Sequence, residues 1–464
     1  MNERRVLVIG LDSIPPQLLF DQWLDQLPTI KKLLSNSIYG PFKSCVPPIT
    51  VPAWACMTSS KNPGRLGIYG FRNRFDYSYD GLTIATSQEI KEERIWDILS
   101  KAGKRVILVG VPQTYPPTPV NGYMISCFLT PDTSCEYTYP AELRKEVERL
   151  VGNYLFDVDN FRTEDKELLI NQIYQMTQKR FTVVKYLLKN KPWDFFMMVE
   201  MGPDRIHHGF WKYMDPLHRK HEPHSPYKNV ILDYYKYLDQ EIGELLSLTD
   251  ENTIIIIVSD HGSQAMEGGV CINEWLMSEG YLTLREKPPG IVSLAKAKIE
   301  WSKTCCWGEG GYYARIFFNV KGREPQGVVP PHNFEEVRNE IARKLEAMCD
   351  EKGNPLGTTT YKPQEIYTVV NGIPPELIVY FGGLKWRSVG SIGYGSFLTF
   401  DNDIGPDDAN HSEYGVCIIH DPLRSTSSPS VPKEGLDILD ISPTILTLMG
   451  IRVPDELEGK AIKG

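Results

Sequence analysis

A short run of branched apolar residues, ended by two charged ones, is the feature of this sequence that most constrains its fold. Residues 254–258 read Ile-Ile-Ile-Ile-Val, and Asp260-His261 follows after a single serine. A strand that is apolar at every position is buried on both faces, as the central strands of a parallel sheet are. The run therefore predicts an α/β protein whose sheet is covered by helices on both sides.

Similar runs recur along the chain and alternate with helical patterns. Apolar runs of strand length predict strands at five places: 5–10, 105–110, 193–200, 253–259 and 415–419. Helical spacing of apolar residues predicts helices at six places: 21–34, 94–104, 139–151, 164–189, 229–248 and 439–449. This alternation is typical of a three-layer α/β/α fold with a mostly parallel central sheet.

The alternation becomes irregular after Gly262. A chain of 464 residues exceeds the roughly 250–300 residues at which a single hydrophobic core stops growing. Residues 263–410 are richer in Gly, Pro, Lys and Trp, and carry a strand pattern at 316–320 followed by a turn and a second short strand up to Val329. We predict a core formed by 1–262 and 411–464, with 263–410 as an inserted lid or substrate subdomain. Residues 423–433 are predicted to be a loop.

Composition and charge exclude several classes of protein. The net charge is −9, and the densest basic stretch, 212–228, is interrupted by acids, prolines and histidines. A nucleic-acid-binding domain carries a basic stripe, so we expect no nucleic-acid polymer as a partner. No stretch approaches the roughly 18–20 apolar residues that a membrane span needs, and we expect no membrane partner. The sequence does not predict the oligomeric state.

The cysteines and the N-terminus bear on the compartment. The nine cysteines are odd in number and scattered, with no C-x-x-C pair, which is not the pattern of a disulfide framework. The apolar run after Arg4-Arg5 is about six residues long and ends at Asp12, whereas a secretory h-region needs about 7–15 apolar residues. We therefore interpret residues 6–10 as a first strand and expect a cytoplasmic protein.

Acidic residues and histidines follow the predicted strands. Asp12 comes after the first strand, Asp204 and His208 come after the strand that ends near Glu200, and Asp260-His261 come after the isoleucine-rich strand. His411 stands shortly before the strand at 415–419. Because ligands of parallel α/β sheets bind at the carboxyl ends of the strands, we expect these side chains to lie close together.

Together these side chains have the chemistry of a two-metal site. Carboxylates and imidazoles are ligands of zinc and manganese, and Asp204 and His208 share one face if their segment is helical. Three Asp and three His suit two ions about 3.5–4 Å apart, as in two-metal phosphoryl transfer. Each motif alone has an ordinary structural explanation, and only the joint placement indicates the site. His207 is an alternative ligand to His208. It lies beside the polar loop at 212–228, and we expect it and the histidines of that loop to be exposed to solvent.

A hydroxyl stands where an anion would bind. Thr50 lies in Pro-Ile-Thr-Val-Pro-Ala-Trp, where Pro52 would occupy the first turn of a helix and Thr50 would lie at or just before its N-cap. A helix N-terminus offers free N–H groups and positive potential to an anion, and an activated hydroxyl there can attack phosphorus. The alternative is that Thr50 only caps the helix.

These motifs, in this order, resemble one enzyme family. Gly-Leu-Asp12, Pro-Ile-Thr50-Val-Pro-Ala-Trp, Asp204-x-x-x-His208, Ser-Asp260-His261-Gly and the late His411 resemble the type I phosphodiesterase/nucleotide pyrophosphatase branch of the alkaline phosphatase superfamily. Within it the chain looks closest to the predicted phosphohydrolases and phosphomutases. The closing segment 440–459 also resembles that of the superfamily, so the resemblance covers nearly the whole chain.

The resemblance implies a metal-dependent phosphoric ester hydrolase with an alkaline-phosphatase-like core. One divalent ion would be held by Asp12, Thr50, Asp260 and His261, and a second by Asp204, His208 and His411. The ions would be Zn²⁺, or alternatively Mn²⁺. Thr50 would attack the phosphorus of a small-molecule phosphate ester, and water would then hydrolyse the phosphothreonine.

Two departures from the family pattern concern the substrate. Relatives that cleave nucleotides have a His where this chain has Leu66, and an Asn near the position of Phe71 that helps to hold the phosphoryl oxygens. Arg72 and Asn73 follow Phe71 here, and we predict that they bind the substrate instead.

Three alternatives remain open. A phosphomutase would need a lid, which 263–410 could form, and five of its residues are candidate substrate contacts or packing residues: Trp301, Trp307, Tyr312, Tyr313 and Arg315. A non-catalytic metal-binding module would have lost a ligand or the nucleophile, whereas all of them are present. A sulfatase needs a C-x-P-x-R motif, and the stretch at Cys45-Val-Pro-Pro-Ile lacks its arginine.

Overall fold

A computed structural model describes residues 4–424 and 432–463. The predicted loop at 423–433 lies for the most part outside the described residues. The strands are, in chain order, β1 Arg5–Leu11, β2 Ser37–Lys43, β3 Arg72–Arg74, β4 Leu82–Ile84, β5 Val106–Val109, β6 Gly122–Ile125, β7 Thr138–Tyr139, β8 Phe195–Glu200, β9 Thr253–Val258, β10 Gly262–Ala265, β11 Gly268–Cys271, β12 Cys306–Glu309, β13 Ala314–Phe318, β14 Thr359–Tyr361, β15 Leu377–Tyr380, β16 Trp386–Val389, β17 Leu398–Thr399, β18 Ala409–Ser412, β19 Tyr414–His420 and β20 Leu436–Asp437.

The helices alternate with these strands through the first half of the chain. They are α1 Pro28–Leu34, α2 Thr50–Ser59, α3 Pro63–Leu66, α4 Ile95–Lys101, α5 Leu143–Val151, α6 Lys166–Asn190, α7 Gly202–Met214, α8 Val230–Leu246, α9 Ile272–Ser278, α10 Phe334–Glu346, α11 Pro363–Ile366 and α12 Ile441–Leu448. In the part of the chain that the structure describes, no helix combines the length and the apolar character needed to cross a bilayer.

One large sheet forms the centre of the molecule. Its strand order is β20-β2-β19-β9-β1-β8-β5-β6-β7. The central pairs β9–β1, β1–β8, β8–β5 and β5–β6 are parallel, whereas β19 runs antiparallel to both of its neighbours. The predicted α/β class with a mostly parallel sheet is confirmed.

Two apolar layers lie on opposite faces of this sheet. Alternate strand residues such as Leu7 and Ile9 pack with α1 and α5–α8, while Val6 and Val8 pack with α2, α4 and α12. All four of these strand residues are fully buried. Burial on both faces explains why the strands are apolar at every position, and it makes the core a three-layer α/β/α structure.

The predicted helix at 21–34 was wrong in its first half. A single π-type turn covers Gln17–Gln22 and a 3₁₀ turn covers Leu24–Gln26, so regular α-helix begins only at Pro28. Proline has no N–H to donate and clashes with the preceding turn, so it is tolerated at the first position of a helix but not inside one. The apolar spacing across Pro28 therefore belongs to two elements.

The chain segment that runs from β9 to β19 forms three smaller sheets. A two-stranded ribbon pairs β10 with β18, a three-stranded sheet has the order β16-β11-β17, and a four-stranded sheet has the order β12-β13-β15-β14. The predicted strand at 316–320 is confirmed over 316–318, which belong to β13, but 321–329 forms turns with isolated bridges instead of a second strand. The apolar cluster of this region is separate from the two layers of the central sheet. The subdomain boundaries at 263 and 410 stay a prediction.

Candidate active site

Six predicted ligand side chains meet at the carboxyl edge of the central sheet. Asp12 follows β1, and Asp260 and His261 follow β9. Asp204 and His208 lie one turn apart in α7, the helix that starts two residues after β8. His411 belongs to β18 and pairs with Ser263 of the ribbon. These six residues are buried in the protein. The burial of so many ionisable groups together requires a physical explanation.

Asp12, Asp260 and His261 form the first part of the cluster. His261 Nε2 lies 3.2 Å from Asp260 Oδ2 and 3.8 Å from Asp12 Oδ1. The outer oxygens are already engaged, because Trp54 Nε1 donates to Asp12 Oδ2 at 2.7 Å and the Ser13 amide donates to Asp260 Oδ1 at 3.2 Å. The second oxygen of each carboxylate, Asp12 Oδ1 and Asp260 Oδ2, is left without such a donor and lies near His261 Nε2.

Asp204 joins two histidines in the second part of the cluster. Its Oδ1 lies 3.3 Å from His208 Nε2 and 3.6 Å from His411 Nε2. The imidazoles of His261 and His411 are stacked with ring centroids 3.8 Å apart, so the two parts adjoin. Donor atoms of Asp204, His261 and His411 all lie within 4.8 Å of one another, as do those of Asp12, Asp260 and His261.

Five buried polar atoms of the cluster have no hydrogen-bond partner among the described residues: Asp12 Oδ1, Asp260 Oδ2, Asp204 Oδ1, His208 Nε2 and His411 Nε2. A buried polar atom without a partner costs about 1–3 kcal/mol, and more when it is charged. The orphaned atoms are oxygens and imidazole nitrogens, which are the donors that divalent zinc and manganese take. The donor set thus fits metal ions.

The protonation states of two of the three histidines fit the same interpretation, whereas for His208 burial is outweighed by the charges of Asp407 and Asp204, which hold its pKa above the ordinary value. Burial raises the pKa of Asp12 and Asp260 well above their ordinary values; the charge of Asp204 adds to this effect for both, and the charge of Asp12 adds to it for Asp260. Burial also lowers the pKa of His261 to about 4 and that of His411 below its ordinary value, so both imidazoles are neutral at pH 7. Neutral imidazole is the form that binds a metal.

Thr50 stands over the first part of the cluster. Its Oγ1 lies 3.3 Å from His261 Nε2, and the residue is buried. Ile49 is the N-cap residue of α2, so Thr50 is the first residue inside the helix, one position later than predicted. The first N–H groups of a helix have no partner within it, and Thr50 and Val51 occupy these positions. The hydroxyl therefore lies beside a ready anion site.

Two further contacts hold the ligands and were not predicted. Trp54, one turn after Thr50 in α2, is fully buried and binds Asp12. The Arg205 guanidinium donates to Asp204 Oδ2 and also to both oxygens of Asp157, at 2.8 and 2.6 Å. Burial alone would raise the pKa of Asp204, but His208 and Arg205 hold it well below its ordinary value. The only sequence signal was spacing, since Trp54 follows Thr50 by four residues.

The exposure predicted for His207 and His218 was wrong. His207 is fully buried between Ser263 Oγ, 3.1 Å from its Nδ1, and Tyr235 Oη, 2.9 Å from its Nε2. Both of its nitrogens are thus engaged away from the cluster, which leaves His208 as the residue of the pair that faces it. His218 is also buried, with its Nε2 3.0 Å from the carbonyl oxygen of Asp408.

Arg72 and Asn73, the predicted substrate-binding residues, lie in β3. Arg72 is exposed and lines a cavity of about 810 Å³ between the β3–β4 hairpin and residues 293–311 and 387–404. Asn73 Oδ1 accepts from the Tyr69 amide at 2.7 Å, and its Nδ2 donates to the Gly70 carbonyl at 3.0 Å. The Asn73 side chain thus stabilises the turn before β3, and a role of either residue in substrate binding stays a prediction.

Among the five candidate contacts of residues 263–410, Tyr312 reaches the cluster. Its ring stacks on His411 with centroids 3.9 Å apart, and its centroid lies 5.2 Å from that of His208. The other four pack elsewhere: Trp301 stacks on Tyr79, Trp307 is buried beside them, Tyr313 donates to the Tyr69 carbonyl and Arg315 donates to the Arg72 carbonyl. These contacts are packing contacts, but Trp301 also lines the cavity that Arg72 lines, so a substrate contact of this residue stays a prediction.

Sequence comparison decides the family. A model of the type I phosphodiesterase/nucleotide pyrophosphatase family matches residues 6–407. The chain belongs to this family. The match spans most of the chain and includes each predicted ligand and Thr50 except His411, which follows its end.

Solved structures agree with the family in fold. The chain is similar in fold to murine ectonucleotide pyrophosphatase/phosphodiesterase 5, in an inactive threonine-to-alanine variant with AMP, with a TM-score of 0.56, 14% identity and coverage of 97% of this chain and 96% of that chain. The human counterpart gives a TM-score of 0.55 at 14% identity, covering 98% and 97% of the two chains. A search of curated protein sequences found no match. Family and fold together make the chain a phosphoester hydrolase of the alkaline phosphatase superfamily.

Proposed function

We propose that this protein hydrolyses a small-molecule phosphate ester with two divalent metal ions, using Thr50 as a covalent nucleophile. The observation that carries the proposal is the set of five unpartnered donor atoms that converge beside the Thr50 hydroxyl. One ion would be held by Asp12, Thr50, Asp260 and His261, and the other by Asp204, His208 and His411. The donors suit Zn²⁺, with Mn²⁺ as the alternative.

Bound ions would supply Lewis-acid stabilisation of the developing negative charge and favour an ionised hydroxyl. The protein itself positions the Thr50 hydroxyl and the metal ligands. Thr50 Oγ1 forms a bond to phosphorus while the bond from phosphorus to the departing alcohol oxygen breaks, which leaves a phosphothreonine. Water then forms a bond to the same phosphorus, and the bond to Thr50 Oγ1 breaks, so the hydroxyl is regenerated and phosphate, or a phosphomonoester from a diester, is released. The N-terminal amides of α2 lie where they can bind the phosphoryl oxygens.

Residues 263–410 are proposed to form a lid that contributes to the substrate site. Tyr312 supports this role, because it reaches from this region onto the ring of His411. A lid of this kind excludes water, which is also what a phosphomutase needs to return the phosphoryl group to its substrate. The mutase is therefore the second candidate. A cytoplasmic location is part of the proposal and rests on the nine scattered cysteines, whose spacing is not that of a disulfide framework.

The test compares Thr50→Ala with Thr58→Ala in protein reloaded with Zn²⁺ or Mn²⁺. Thr58 is a matched control, because it is a buried threonine of the same helix whose hydroxyl donates to the Trp54 carbonyl and does not face the cluster. We expect hydrolysis of bis-p-nitrophenyl phosphate or p-nitrophenyl phosphate by the wild type and by Thr58→Ala. Thr50→Ala should lose at least about 10³-fold in kcat, since removal of a nucleophile removes the covalent route.

The inactive threonine-to-alanine form of the murine neighbour supports this expectation for the shared fold. The preferred ester would separate a diesterase from a monoesterase. Full activity of Thr50→Ala would refute the nucleophile. Two bound metals per chain without cleavage of either ester would instead favour the mutase, and an isomerised phosphate ester as product would establish it.

A further inference from the structure

The three histidines of the cluster differ in what holds their outer nitrogen. His261 Nδ1 lies 3.1 Å from the carbonyl oxygen of Gly262, and His411 Nδ1 lies 2.9 Å from that of Pro48. His208 Nδ1 instead lies 2.6 Å from a carboxylate oxygen, Asp407 Oδ1. The outer partner of a ligating histidine fixes its tautomer and its basicity, so the histidines are not equivalent.

We infer that Asp407 is a positioning residue that orients His208 and strengthens the hold of this protein on one of its two metal ions. The inference rests on the proposed two-metal function. Nothing in the motif pattern singles out Asp407, which precedes His411 by four residues in an irregular segment. Its contact with α7 exists only in the folded chain.

Asp407 itself is fixed in place. Its side chain is fully buried, and its second oxygen accepts from Arg162 Nε at 2.9 Å and lies 3.6 Å from Arg387 Nη1. Arg162 in turn donates through Nη2 to Tyr312 Oη at 2.9 Å. With one oxygen held by two guanidinium groups, the carboxylate presents the other to His208 in a single orientation. A charge buried in this way is tolerated because it is paired.

The contact determines which nitrogen of His208 is available. A carboxylate accepts a hydrogen bond, so Nδ1 carries a proton and donates it, and in the neutral imidazole that binds a metal the lone pair therefore lies on Nε2. Nε2 is the atom that lies 3.3 Å from Asp204 Oδ1 and has no hydrogen-bond partner among the described residues. A negative charge behind the ring also makes Nε2 a stronger donor to a cation than a carbonyl would.

Asp407 belongs to residues 263–410 and joins other residues of this segment to the metal cluster. Arg387 lies in β16 and Tyr312 in the loop before β13, so both residues come from the region that we propose to be a lid. Tyr312 covers the rings of His411 and His208, and its hydroxyl holds the arginine that holds Asp407. The region thus supplies the outer support of a ligand that the core provides.

The test measures metal binding by the full-length protein, with no need for turnover. Zn²⁺ affinity is measured by competition with a chromophoric chelator, and the ligand field by the visible spectrum of the Co²⁺-substituted protein. The variant is Asp407→Asn. Its matched control is Asp403→Asn, because the Asp403 side chain is only 9% exposed and its Oδ1 lies 4.0 Å from Arg387 Nη2, but its carboxylate accepts a hydrogen bond from Ser391 instead of a histidine.

We expect the wild type and Asp403→Asn to bind two ions. Asp407→Asn should keep one of them at wild-type affinity and bind the other about 10–100-fold more weakly, with altered Co²⁺ bands. Asp407→Glu, which restores the charge, should recover part of the loss. If Asp407→Asn is misfolded by circular dichroism, Arg162→Gln tests the same support, with a smaller loss expected at the same ion.

Wild-type affinity and spectrum in a folded Asp407→Asn or Arg162→Gln would overturn the role of Asp407 while leaving the two-metal proposal intact. An equal loss in Asp403→Asn would also overturn it, because the effect would then be general to the segment. Failure of the wild type to bind two ions would refute the proposed function itself, and the inference with it.

Discussion

The side chains of Asp12 and Asp260 are buried, and burial disfavours the charged form of a carboxyl group. The free oxygens of both face the same space, and neither has a hydrogen-bond partner among the described residues. Burial raises the pKa of each above its ordinary value of 3.8. In the metal-free protein, folding therefore favours the protonated forms. The stability that they contribute is present below about pH 4 and is lost as the pH rises through the raised pKa values.

The first prediction concerns Asp260→Asn. Without metal at pH 7, this variant should be more stable than the wild type by about 1–3 kcal/mol, because it removes one buried, uncompensated charge. The advantage should shrink as the pH falls toward 4, where the wild-type carboxyl is protonated. Urea unfolding in the presence of a chelator measures both effects.

Asp401→Asn is the control for this experiment, because its exposed carboxyl makes only a surface ion pair with Lys220 and such pairs contribute little. It should leave the stability unchanged at either pH. A metal-free Asp260→Asn that is less stable than the wild type at pH 7 would contradict the prediction.

Most side chains of the site could be predicted from the sequence, because strand ends can be found there. Asp12 and Asp260 each follow an apolar run directly, and parallel strands bring their carboxyl ends together. Asp407 could not be predicted, because its partner His208 lies 199 residues earlier in the chain. The burial of His207 could not be predicted either, because its partner Tyr235 belongs to the next helix.

At the scale of elements, Gly10 of β1 is in close contact with the Trp54 side chain of α2. A Cβ atom added to Gly10 would come within 2.5 Å of Trp54 Cη2 and 2.8 Å of Val199 Cγ2. Gly10 thus lets the indole lie against the strand, where its Nε1 reaches Asp12. The glycine is needed here for close approach and not for an unusual backbone angle.

The second prediction follows from this packing. Gly10→Ala should destabilise the protein by about 1–3 kcal/mol, since the inserted methyl overpacks a full core. The cost should be smaller in a Trp54→Phe background, because phenylalanine lacks the outer ring atom that the methyl would meet. A double-mutant cycle by urea unfolding gives the coupling energy.

Gly290→Ala is the matched control, because an added Cβ there would meet no atom within 4 Å. It should be neutral or slightly stabilising. Equal costs of Gly10→Ala in the two backgrounds would show that Val199 and the backbone, not the indole, limit the space.

Elements with a strong period could be predicted, and those governed by a single residue could not. The strand at 253–259 and the helix at 164–189 agree with the structure within one or two residues. The helix at 21–34 was wrong, because its apolar spacing runs on across Pro28 while the backbone cannot. At 321–329, Val329 forms an isolated bridge with Val320 and no ladder follows, which residue types alone do not reveal.

At the scale of the whole molecule, the cluster joins segments that are far apart in the chain. Its ligands come from the ends of β1 and β9, from α7 and from β18. Ions that bind the folded protein and not the unfolded chain stabilise it by about 2.7 kcal/mol at a free concentration one hundred times the dissociation constant.

The third prediction is that chelation lowers the melting temperature. It should also speed hydrogen exchange in β10, β18 and the first turns of α7 more than in α10, which lies away from the cluster and serves as the internal control. Thr50→Ala should still respond to the chelator, since the remaining ligands are intact. Unchanged melting and exchange on metal removal would contradict a structural contribution of the ions.

The three-layer architecture could be predicted because its strands and helices alternate regularly. The arrangement of the small sheets could not, because they pair strands distant in sequence, such as β11 with β16, and their apolar residues follow no sustained period. One aromatic cluster likewise depends on long-range contacts, because it packs Tyr69 against three tyrosines of residues 263–410: Tyr313, Tyr367 and Tyr380.

The ribbon of β10 and β18 has a consequence for how such a protein can change over evolution. Its register pairs Ser263 with His411 and Gln264 with Asn410, so the intervening segment leaves the core and returns to it at neighbouring positions. A segment with adjacent ends can be lengthened, shortened or exchanged without moving the residues that flank it, because loop-closure entropy grows only slowly with length. The ribbon thus fixes both ends of the segment that we propose to contribute to the substrate site, and the parts of this segment that can vary freely are those that do not include Tyr312, Arg387 and Asp407, which support the metal ligands.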